Sequence, residues 1–422
     1  MTDSCKTIWI LNHYATAMFV SEGGRHYSLA KEFVRQGYSV KVFCASTIHN
    51  SDECIPMEGE RHKKAVKDGV EFEFIRTRPY GGNGIQRILN MADFYRGVLL
   101  RAKQLPRPDV VIGSSVHPLA QNAALRIAKR FGCACIVETR DLWPASLEEY
   151  GIIKRGGLIA RIMYVNERRC YEKADAVVFT IEGGAHYLKD KGWDVGSGGA
   201  IDLRKVHCVN NGVDLEAYRR NLEYEVCTVP QLLKNGKAKL VYAGSIRKVN
   251  NLDVVVELAS CMRGDTSVEF IVLGDGDERE TLIARAEELG LTNISFPGSV
   301  EKKCVPACLA KADILLLISE SQEGLSRYGM SQNKLFDYRA SGKPILSNLP
   351  SAYSIINEKG CGVERAFSDP LDMSEQIRQM LADKRSLTTW ADNARAAAAL
   401  YSYESHARRY LEIVNRVVKE DK

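Results

Sequence analysis

The sequence alternates short apolar runs with amphipathic helical patterns, and this alternation constrains the fold more than any other feature. In the first half the apolar runs are TIWIL (7–11), YSVKVFC (38–44), VEFEFIR (70–76), DVVIG (109–113), CACIVE (133–138) and AVVFT (176–180). They lack a regular polar–apolar period, which indicates strands that are covered on both faces. Helical patterns such as GGRHYSLAKEFVRQG (23–37) and PLAQNAALRIAKRFG (118–132) lie between them. This order predicts right-handed βαβ units and a parallel sheet.

The segment 208–238 interrupts this rhythm and reads as a connection between domains. Six further runs follow it: KLVYAG (239–244), VEFIVLG (268–274), NISFPG (293–298), ADILLLIS (312–319), KPILS (343–347) and GCGVE (360–364). We therefore predict an α/β protein with two doubly wound, Rossmann-like domains, 1–207 and 208–400. Ligands of such sheets bind beyond the carboxyl ends of the strands, so the predicted active site lies in a cleft between the two domains.

The last stretch, 401–422, has the pattern of an amphipathic helix with Tyr410, Ile413, Val414 and Val417 on one face. We expect this helix to complete the first domain, although its place in the fold does not follow from the pattern alone. A chain of 422 residues exceeds the usual size of a single core, which agrees with two domains.

Composition and cysteine usage exclude several classes of protein. The net charge of +5 is too small to indicate a nucleic-acid partner, and no run of eighteen apolar residues predicts a membrane span. The first fifteen residues, MTDSCKTIWILNHYA, lack the layout of a signal peptide. The twelve cysteines lie mostly in apolar runs, as expected for buried thiols in a reducing compartment, and neither Cys133/Cys135 nor Cys304/Cys308 has the spacing of a zinc site. The expected location is the cytoplasm.

The stretch YGMSQNKLFDYRASGKPIL (328–346) combines a helical pattern with polar groups at its start. Ser331 suits the N-cap, and the main-chain amides near Gln332 and Asn333 would face a ligand. A helix N-terminus is a ready site for phosphate, and Lys334 would add a full positive charge. Asp337 could accept hydrogen bonds from a pair of ribose hydroxyls. A well-capped packing helix with a surface lysine and aspartate is the alternative.

A second motif, YAGSIRKVNNLDVVVELA (242–259), places a basic pair in a strand–helix loop. Arg247 and Lys248 would point to the same edge of the sheet, before a helix capped near Asn250 or Asn251. Two cations there could stabilise the charge that develops on a leaving diphosphate. A solvated pair of loop side chains is the alternative.

A third motif, VLGDGDERETL (272–282), contains two glycines that permit a tight turn against a flat ring such as a nucleobase. We expect Gly274 and Gly276 to have that role. Asp275 and Asp277 also spell Asp-x-Asp, a metal-binding signature. Because a helix with acidic residues in its first turn follows directly, the helix-start interpretation is preferred, and no metal is predicted.

In the first domain, Gly23 and Gly24 open a helix after a loop, without the full G-x-G-x-x-G dinucleotide fingerprint. IVETRDLWP (136–144) ends a strand with Arg140 and Asp141, and GSSVHPLA (113–120) ends another with His117. His117 and Arg140 are candidates for contact with an acceptor or a sugar. A structural histidine and an Arg–Asp salt bridge are the alternatives.

Two stretches of the first domain, 84–107 and 151–169, mix Ile and Leu with Arg and Lys. This composition is typical of helices that lie in a membrane interface. Buried crossover helices with a basic outer rim would show a similar pattern, so both interpretations stay open.

Taken together, these motifs resemble the large retaining glycosyltransferase family 4, which has the GT-B fold. YAGSIRK, VLGDGDERETL, ADILLLIS and NKLFDYRASGKPIL resemble its donor half, and GGRHYSLAKEFVRQGYSVKVFCAS, ETRDLWPAS and VNNGVD resemble its acceptor half. The resemblance is closest to the branch that adds aminosugars to bacterial O-antigen, capsule or similar surface polysaccharide. It implies a first domain that binds the acceptor and a second domain that binds the nucleotide-sugar donor.

The resemblance also implies roles for individual residues. Lys248 and Arg247 would bind the donor diphosphate, and Gly274 to Gly276 would border the base. Asp337 would occupy the position of the second Glu of the family's E-x7-E motif, on the ribose. Gly23 and Gly24 would approach the diphosphate from the first domain.

Two positions depart from the family pattern. The first Glu of E-x7-E falls on Gly329, and the strand-end His of the family's HD pair falls on Arg140, which leaves Asp141. Glu320 or Glu323, in the preceding loop, is the candidate substitute for the missing Glu. The predicted catalytic residues are therefore Asp141, Arg247 and Lys248.

The predicted activity is sugar transfer from a nucleotide-diphosphate sugar, with UDP as the nucleotide the family implies, to a glycan or polyprenyl-linked acceptor, with retention at the anomeric carbon. Neither a metal nor another cofactor is expected, and contact with the inner membrane surface is a possible partner interaction. Two alternatives remain: a non-hydrolysing sugar-nucleotide epimerase, and a catalytically silent sugar-nucleotide-binding subunit. A nicotinamide oxidoreductase is a distant third, since the fingerprint is missing from both domains.

Overall fold

The computed structural model describes residues 6–49, 51, 53–82, 84–320 and 323–420. The chain divides into two compact units. Unit 1 consists of Met1–Asn210 with Tyr403–Lys422, and unit 2 consists of Asn211–Ser402. The C-terminal helix therefore belongs to the first unit, and the second unit is one continuous stretch of chain.

Unit 1 is built on an eight-stranded sheet with the order β3-β4-β2-β1-β5-β6-β7-β8. Its strands are β1 Thr7–Leu11, β2 Ser39–Ala45, β3 His62–Lys67, β4 Val70–Ile75, β5 Val110–Ser114, β6 Ala134–Thr139, β7 Ala176–Phe179 and β8 Val206–Cys208. All neighbouring strands pair in parallel except β3, which pairs antiparallel with β4.

The helices of unit 1 cover both faces of this sheet. They are α1 Ala15–Val20, α2 Arg25–Arg35, α3 Ile85–Ala102, α4 Pro118–Phe131, α5 Ala145–Glu149, α6 Leu158–Lys173, α7 Gly184–Asp190 and, after unit 2, α17 Tyr403–Glu420. Successive strand residues point to opposite faces, so Ile8 and Ile10 pack with α2 and α17. On the opposite face, Trp9 contacts Phe131 of α4 with ring centroids 5.8 Å apart.

Helices α3, α4 and α6 form one layer on the face opposite α2 and α17. Helix α3 packs against α4, and α4 packs against α6. Gly97 of α3 lies against Ile75, and Tyr171 of α6 contacts Phe179, with ring centroids 5.5 Å apart. Each of these helices follows a strand, so its N-terminus lies at the carboxyl edge of the sheet.

Unit 2 is built on a six-stranded, fully parallel sheet with the order β11-β10-β9-β12-β13-β14. The strands are β9 Ala238–Ala243, β10 Val268–Leu273, β11 Ile294–Gly298, β12 Ile314–Leu317, β13 Ile345–Ser347 and β14 Gly362–Glu364. The helices are α8 Leu215–Tyr224, α9 Asp253–Cys261, α10 Arg279–Glu288, α11 Val305–Leu309, α12 Glu323–Ser326, α13 Asn333–Ser341, α14 Ile355–Glu358, α15 Pro370–Ala382 and α16 Lys384–Ala398. One core joins α9, α10 and α15 to one face, and another joins α8, α11, α13 and α14 to the other.

Each of the twelve predicted apolar runs forms a strand, and two strands were not predicted. Strand β3 is the polar sequence HKKAVK, which forms an edge hairpin with β4 through a turn at Asp68 and Gly69, both at positive φ. Strand β8 has only three residues. The stretch 208–238 is also more regular than expected, because it contains helix α8, and the chain passes from unit 1 to unit 2 between Asn210 and Asn211.

Candidate functional site

In unit 2, helix α13 begins one residue later than its sequence predicts. Its N-cap is Gln332, which makes no side-chain capping bond, so the prediction of Ser331 as N-cap is wrong. The Ser331 hydroxyl instead accepts a hydrogen bond from the main-chain N–H of Asn211 at 3.0 Å, and its carbonyl accepts one from the Asn211 amide at 2.7 Å. The helix start at Asn333 is therefore left without a side-chain cap. At the other end Gly342 terminates the helix in the left-handed region, as predicted.

Lys334 lies in the first turn of α13 and reaches the loop that follows β9. Its ammonium donates to the Tyr242 hydroxyl at 2.9 Å and to the Asn250 amide oxygen at 3.4 Å, and it lies 4.3 Å from the centroid of the Tyr242 ring. Tyr242 and Asn250 both donate to the carbonyl of Ser245 at 2.8 Å. Because these partners are neutral, burial dominates and lowers the pKa of Lys334 to about 7. An anion arriving here would favour the protonated form.

Asp337 lies one turn further along α13. Burial raises the pKa of its carboxyl group to about 6, against the opposing effect of Lys302. Within the described residues, no side chain or main-chain N–H donates a hydrogen bond to this carboxylate. Tyr218 of α8 is close enough for Asp337 to add to the effect of burial in raising the pKa of the Tyr218 hydroxyl. A carboxylate in this setting is available to accept hydrogen bonds from a ligand.

Arg247 and Lys248 lie in the loop after β9 and are both exposed. They line a cavity of about 170 Å³ together with Glu278 and Glu320. Neither cation has an ion-pair partner in the described part of the chain. The main-chain N–H of Glu320 donates to the carbonyl of Val249 at 3.1 Å, which fixes the loop after β12 beside the basic pair. Glu323 begins α12, and its side chain lies outside the described residues.

The helix after this loop is not capped as predicted. Helix α9 begins at Asp253 with Leu252 as N-cap, so neither Asn250 nor Asn251 caps it. The Asn250 side chain bonds Ser245 and Lys334 instead, and Asn251 adopts a left-handed conformation with φ of 45°. Asn250 is a residue that sequence reasoning misread, since its role depends on Lys334 of α13, 84 residues further along the chain.

Glycine is required at positions 274 and 276 because two loops approach each other closely there. A Cβ at Gly274 would lie 1.8 Å from the carbonyl oxygen of Gly244, and one at Gly276 would lie 2.1 Å from that of Ile246. The carbonyl of Asp275 accepts a hydrogen bond from Ile246 N–H at 2.9 Å. These glycines therefore let the β10–α10 loop, which also carries Asp277, support the loop with the basic pair. Contact of Gly274 and Gly276 with a nucleobase stays a prediction.

Gly329 has a backbone conformation that excludes most other residues without strain. Its φ is 101°, in the region that favours glycine. Glycine therefore suits this backbone position, where the resembled family has a Glu.

In unit 1, the loop before α2 and the end of β6 meet in a buried charged network. Gly24 is the N-cap of α2 with φ of 97°, and Gly23 donates its N–H to the carbonyl of Met18 at 3.1 Å. Arg25, the next residue, donates to the Glu138 carboxylate through Nε at 3.0 Å and Nη2 at 2.7 Å.

His26 completes this network on the second Glu138 oxygen, at 2.8 Å. Burial would raise the pKa of Glu138, but Arg25 and His26 hold it well below its ordinary value. Arg25 also donates to the carbonyls of Val209 and Asn210, so it fixes the chain at the end of the first segment. Sequence reasoning missed Arg25 and His26. The charged pair directly after two glycines was the available signal.

His117 lies inside an aromatic cluster rather than at the surface. Its side chain is 1% exposed, and its ring centroid lies 4.9 Å from that of His13 and 5.9 Å from that of Tyr14. Neither ring nitrogen has a hydrogen-bond partner among the described residues, and burial lowers the pKa of His117 well below its ordinary value. This placement favours the structural interpretation of His117.

Arg140 and Asp141 follow β6 at the carboxyl edge of the sheet. The main-chain N–H of Arg140 donates to the Ser115 hydroxyl at 3.0 Å, and Thr180 donates to its carbonyl at 3.2 Å. Asp141 is exposed. In the part of the chain that the structure describes, the two side chains do not form the salt bridge that was the structural alternative. Asp141 lies at the edge where parallel sheets bind ligands, and Ser146 and Trp143 lie close to its carboxylate.

Comparison with protein families gives two matches, one in each unit. The model described as "Glycosyl transferase 4-like domain" matches residues 23–196, and the model described as "Glycosyl transferases group 1" matches residues 228–397. A D-inositol 3-phosphate glycosyltransferase of a Nocardioides species is 22% identical over 417 residues, which cover 93% of this chain and 84% of the relative.

Solved structures with the same fold cover nearly the whole chain. Alr3699/HepE of Anabaena, in complex with UDP, has a TM-score of 0.67 at 13% identity, with 97% of this chain and 100% of that chain covered. WaaG, a glycosyltransferase involved in lipopolysaccharide biosynthesis, has a TM-score of 0.64 at 17% identity, with 97% and 99% covered. The chain is a glycosyltransferase with the GT-B fold. The predicted fold class, two parallel-sheet α/β domains, is confirmed.

The predicted site residues of this glycosyltransferase divide between the two matched regions. Gly23, Gly24, His117, Arg140 and Asp141 lie in the 4-like domain, and Arg247, Lys248, Gly274, Gly276, Glu320, Glu323, Ser331, Gln332, Asn333, Lys334 and Asp337 lie in the group 1 domain. Among the helices that the structure describes, every one is too short or too polar to cross a bilayer.

Proposed function

We propose that this glycosyltransferase transfers a sugar from a UDP-linked donor to a glycan or polyprenyl-linked glycan, with retention at the anomeric carbon, and that unit 2 binds the donor. The observation that carries the proposal is the set of cations around the β9–α9 loop. Arg247 and Lys248 are unpaired in the described chain, and Lys334 reaches the same loop through Tyr242 and Asn250. The UDP complex of HepE, a protein of the same fold, supports a nucleotide donor.

The charge at this site suits a diphosphate leaving group. As the bond between the anomeric carbon and the diphosphate breaks, negative charge builds on the phosphate oxygens, and a bond from the acceptor oxygen forms. Arg247 and Lys248 lie at the loop where such oxygens would be bound, and the uncapped start of α13 adds main-chain N–H groups. Lys334 gains a full charge when a proton accompanies the donor.

We also propose that these cations, rather than a divalent metal, neutralise the leaving group. Arg247, Lys248 and Lys334 together supply up to three positive charges at one loop, comparable to the charge a bound metal would bring. Transfer activity that is unchanged by a chelator would support this step. Activity that depends on added Mg²⁺ or Mn²⁺ would contradict it.

Asp337 is proposed to bind the ribose of the donor. In the described part of the chain its carboxylate is partly buried without a hydrogen-bond donor, and this burial raises the pKa of the carboxyl group. Two ribose hydroxyls would supply the missing donors. Ser331, Gln332 and Asn333 shape the start of the same helix.

The proposed acceptor side lies on unit 1, at the edge that presents Asp141. We propose an N-acetylated aminosugar as the transferred group and bacterial surface polysaccharide as the product, on the motif resemblance described above. WaaG, with the same fold, is described as involved in lipopolysaccharide biosynthesis. Asp141 is proposed as the carboxylate that contacts the acceptor, with Arg140 next to it.

Contact with a membrane surface is part of this proposal. Helix α6 exposes Leu158, Ile159, Ile162 and Val165 by 61–75%. Exposed cations flank them, at Arg155 and Arg161 among others. Apolar side chains beside cations on a solvent-facing helix are typical of interfacial binding. A lipid-linked acceptor would be met at that surface.

A thermal-shift screen against nucleotide sugars tests the donor site. Binding stabilises the folded state by mass action, so UDP and its sugars should raise the melting temperature of the wild type. Lys248→Ala and Asp337→Ala should each reduce that shift. Lys311→Ala and Glu375→Ala, two exposed positions in the same unit, are the controls. Equal shifts in all five proteins would show that the donor binds elsewhere.

A catalytically silent nucleotide-sugar-binding subunit is the second candidate. The glycine at 329, with φ of 101°, favours it because the loop lacks the family's carboxylate and cannot easily regain it. Donor consumption in the presence of membranes that carry a polyprenyl-linked acceptor separates the two functions. UDP binding without consumption of any nucleotide sugar would establish the silent subunit.

A further inference from the structure

A buried carboxyl group on α6, that of Glu167, borders the same small cavity as Asp141. The cavity has a volume of about 10 Å³, which is room for one water molecule at most. Glu167 is 4% exposed, and its hydrogen-bond partners in the described chain are the hydroxyls of Tyr171 at 2.8 Å and Tyr187 at 2.9 Å. A titratable group therefore lies across one small cavity from the carboxylate that is proposed to contact the acceptor.

The protonation state of Glu167 is not fixed by a bonded cation. Two other buried glutamates of unit 1, Glu73 and Glu138, each accept hydrogen bonds from an arginine, which favours the ionised form. Burial raises the pKa of Glu167 to about 8, and the two tyrosine hydroxyls and Lys191 oppose this effect only in part. Glu167 is therefore mostly protonated at pH 7 and mostly ionised at pH 9.

A chain of hydrogen bonds joins Glu167 to the end of β6. The hydroxyl of Tyr171 lies 2.9 Å from Oγ1 of Thr139, the last residue of that strand. The same Thr139 oxygen accepts a hydrogen bond from Nε2 of Gln121 at 3.3 Å. Asp141 follows two residues later, and Thr139 and Asp141 both border the cavity. The chain that begins at Glu167 therefore ends at the wall of the cavity that Asp141 shares.

The proton on Glu167 determines the direction of this chain. An ionised carboxylate can only accept, so Tyr171 donates to it and Thr139 donates to Tyr171. A protonated carboxyl group can donate to Tyr171, which then donates to Thr139 and leaves the Thr139 hydroxyl proton able to face the cavity. Tyr187 donates to the other carboxyl oxygen in both states. One proton at Glu167 therefore changes which polar atom the cavity presents to Asp141.

The other titratable and charged groups that face Glu167 come from α6, from α7 with the residue that follows it, and from across the cavity. They are Tyr164, Cys170 and Tyr171, then Tyr187 and Lys191, and finally Asp141. Burial raises the pKa of the three tyrosines above the ordinary value and the pKa of Cys170 to about 12. The tyrosines and the thiol therefore keep their protons through pH 9, and a change near pH 8 is assigned to Glu167.

We propose that Glu167 is a positioning residue for sugar transfer, which acts on the Asp141 carboxylate through Tyr171 and Thr139. When Glu167 is protonated, the Thr139 hydroxyl faces the cavity and supports Asp141 against the acceptor. When Glu167 is ionised, that hydroxyl turns toward Tyr171 and Asp141 loses the support. The inference rests on the role of Asp141 in the proposed function, and it adds a control of that role by pH.

The pH profile of kcat, measured with saturating donor and acceptor, tests this proposal. Saturation removes the effect of pH on donor affinity at Lys334. The wild-type kcat should fall about tenfold between pH 7 and pH 9, because the protonated fraction of a group with a pKa of about 8 falls by that factor. Glu167→Gln, whose amide can donate to Tyr171 at every pH, should transfer at nearly the wild-type rate at pH 7 and keep that rate at pH 9.

Two further variants interrupt the chain, and one is the matched control. Tyr171→Phe and Thr139→Val should both lower kcat at pH 7 about tenfold, to the wild-type level at pH 9, and lose the dependence on pH. Glu73→Gln changes a buried carboxylate of the same unit that is bonded to Arg101, and it should keep the wild-type profile. Melting curves confirm that each variant folds. A wild-type profile in Glu167→Gln or in Tyr171→Phe would overturn the proposal, because a role in packing alone gives that result.

Fluorine NMR of the full chain, labelled with fluorotryptophan, follows the hydrogen-bond chain without any sugar. Trp143 borders the cavity, and the ring of Trp193 lies 6.0 Å from that of Tyr187. In the wild type both resonances should shift with a midpoint near pH 8, and in Glu167→Gln neither should. In Tyr171→Phe the Trp193 resonance should still shift, and the Trp143 resonance should stay constant. A Trp143 shift that persists in Tyr171→Phe would overturn the chain.

Asp141→Asn separates this inference from the proposed function. Loss of transfer in Asp141→Asn, together with a wild-type pH profile in Glu167→Gln, would overturn the inference and leave the proposed function intact. A wild type that consumes no nucleotide sugar would contradict the proposed function. In that protein, a Trp143 resonance that shifts near pH 8 only when Glu167 and Tyr171 are both present would still establish the link from Glu167 to the cavity.

Discussion

At the scale of single residues, Lys334 couples donor binding to pH. Its pKa of about 7 in the free protein means that it is largely neutral above that pH, and a bound diphosphate would restore its charge. Affinity for UDP should therefore fall as pH rises from 7 to 9, by up to about tenfold per unit. Lys334→Met should bind more weakly at pH 7 and lose this dependence. Isothermal titration calorimetry across that range measures it.

The stability of the free protein should change in the opposite direction. Between about 7 and the ordinary lysine value of 10.5, the unfolded chain binds a proton at Lys334 that the folded protein does not. The contribution of Lys334 to the free energy of unfolding therefore rises with pH in that window. The difference in stability between wild type and Lys334→Met isolates this contribution. A flat difference would show that Lys334 keeps its charge in the folded protein.

Gly329 carries a second prediction at this scale. Because its φ is 101°, Gly329→Glu, which restores the family carboxylate, should strain the loop by about 1–2 kcal/mol and lower the melting temperature by about 2–8 °C. We expect no gain in transfer activity. Gly264→Ala, at a position with open space and no positive φ, is the control and should leave stability almost unchanged. A more active Gly329→Glu protein would contradict this expectation.

At the scale of elements, the sequence predicts strands well and helix starts less well. Apolar runs such as 7–11 and 268–274 became β1 and β10 because burial on both faces leaves a strong signal. The predicted N-caps of α9 and α13 were wrong because the side chains of Asn250 and Ser331 form hydrogen bonds with residues far away in the sequence. Local sequence does not show that Asn211, 120 residues away, uses the Ser331 hydroxyl. Edge strand β3 was missed because its polar residues face water.

The same limit applies to the candidate site. The basic pair Arg247–Lys248 could be predicted, since loop cations after a parallel strand lie at the ligand edge. The buried network of Arg25, His26 and Glu138 could not, because a charged side chain reads as a surface residue until its partners are known. His117 is a polar residue that the fold buries among aromatic rings, which the sequence could not show.

Helix α6 carries the element-scale prediction. Ile162→Gln/Val165→Gln should reduce vesicle binding on the order of 100-fold, because two apolar side chains no longer leave water. The free energy of unfolding should change by less than about 1 kcal/mol, since both positions are exposed. Leu371→Gln/Leu400→Gln, with similar exposure in unit 2, should bind vesicles as the wild type does. Flotation and chemical denaturation make the comparison.

At the scale of the whole molecule, the two units differ in how the chain builds them. Unit 2 is one continuous stretch of chain, so a fragment of residues 211–402 should fold by itself. It should bind UDP through the contacts of unit 2 alone. A fragment of residues 1–210 should not unfold cooperatively, because α17 contributes Tyr410, Val414 and Val417 to its core. Supplying residues 403–420 as a separate peptide should restore a cooperative transition. Circular dichroism melting of each fragment tests this.

The return of α17 to unit 1 has a consequence for synthesis on the ribosome. The surface of α2 that receives Tyr410 is made early, but its partner emerges only after the intervening unit. Unit 2 spans 192 residues, from 211 to 402, which takes about 10–40 s to translate. During that time the nascent first unit presents an uncovered apolar seam while the second unit can already fold. The order of completion is therefore the reverse of the order of synthesis, and the seam around Phe33 is the place where a chaperone would bind the growing chain.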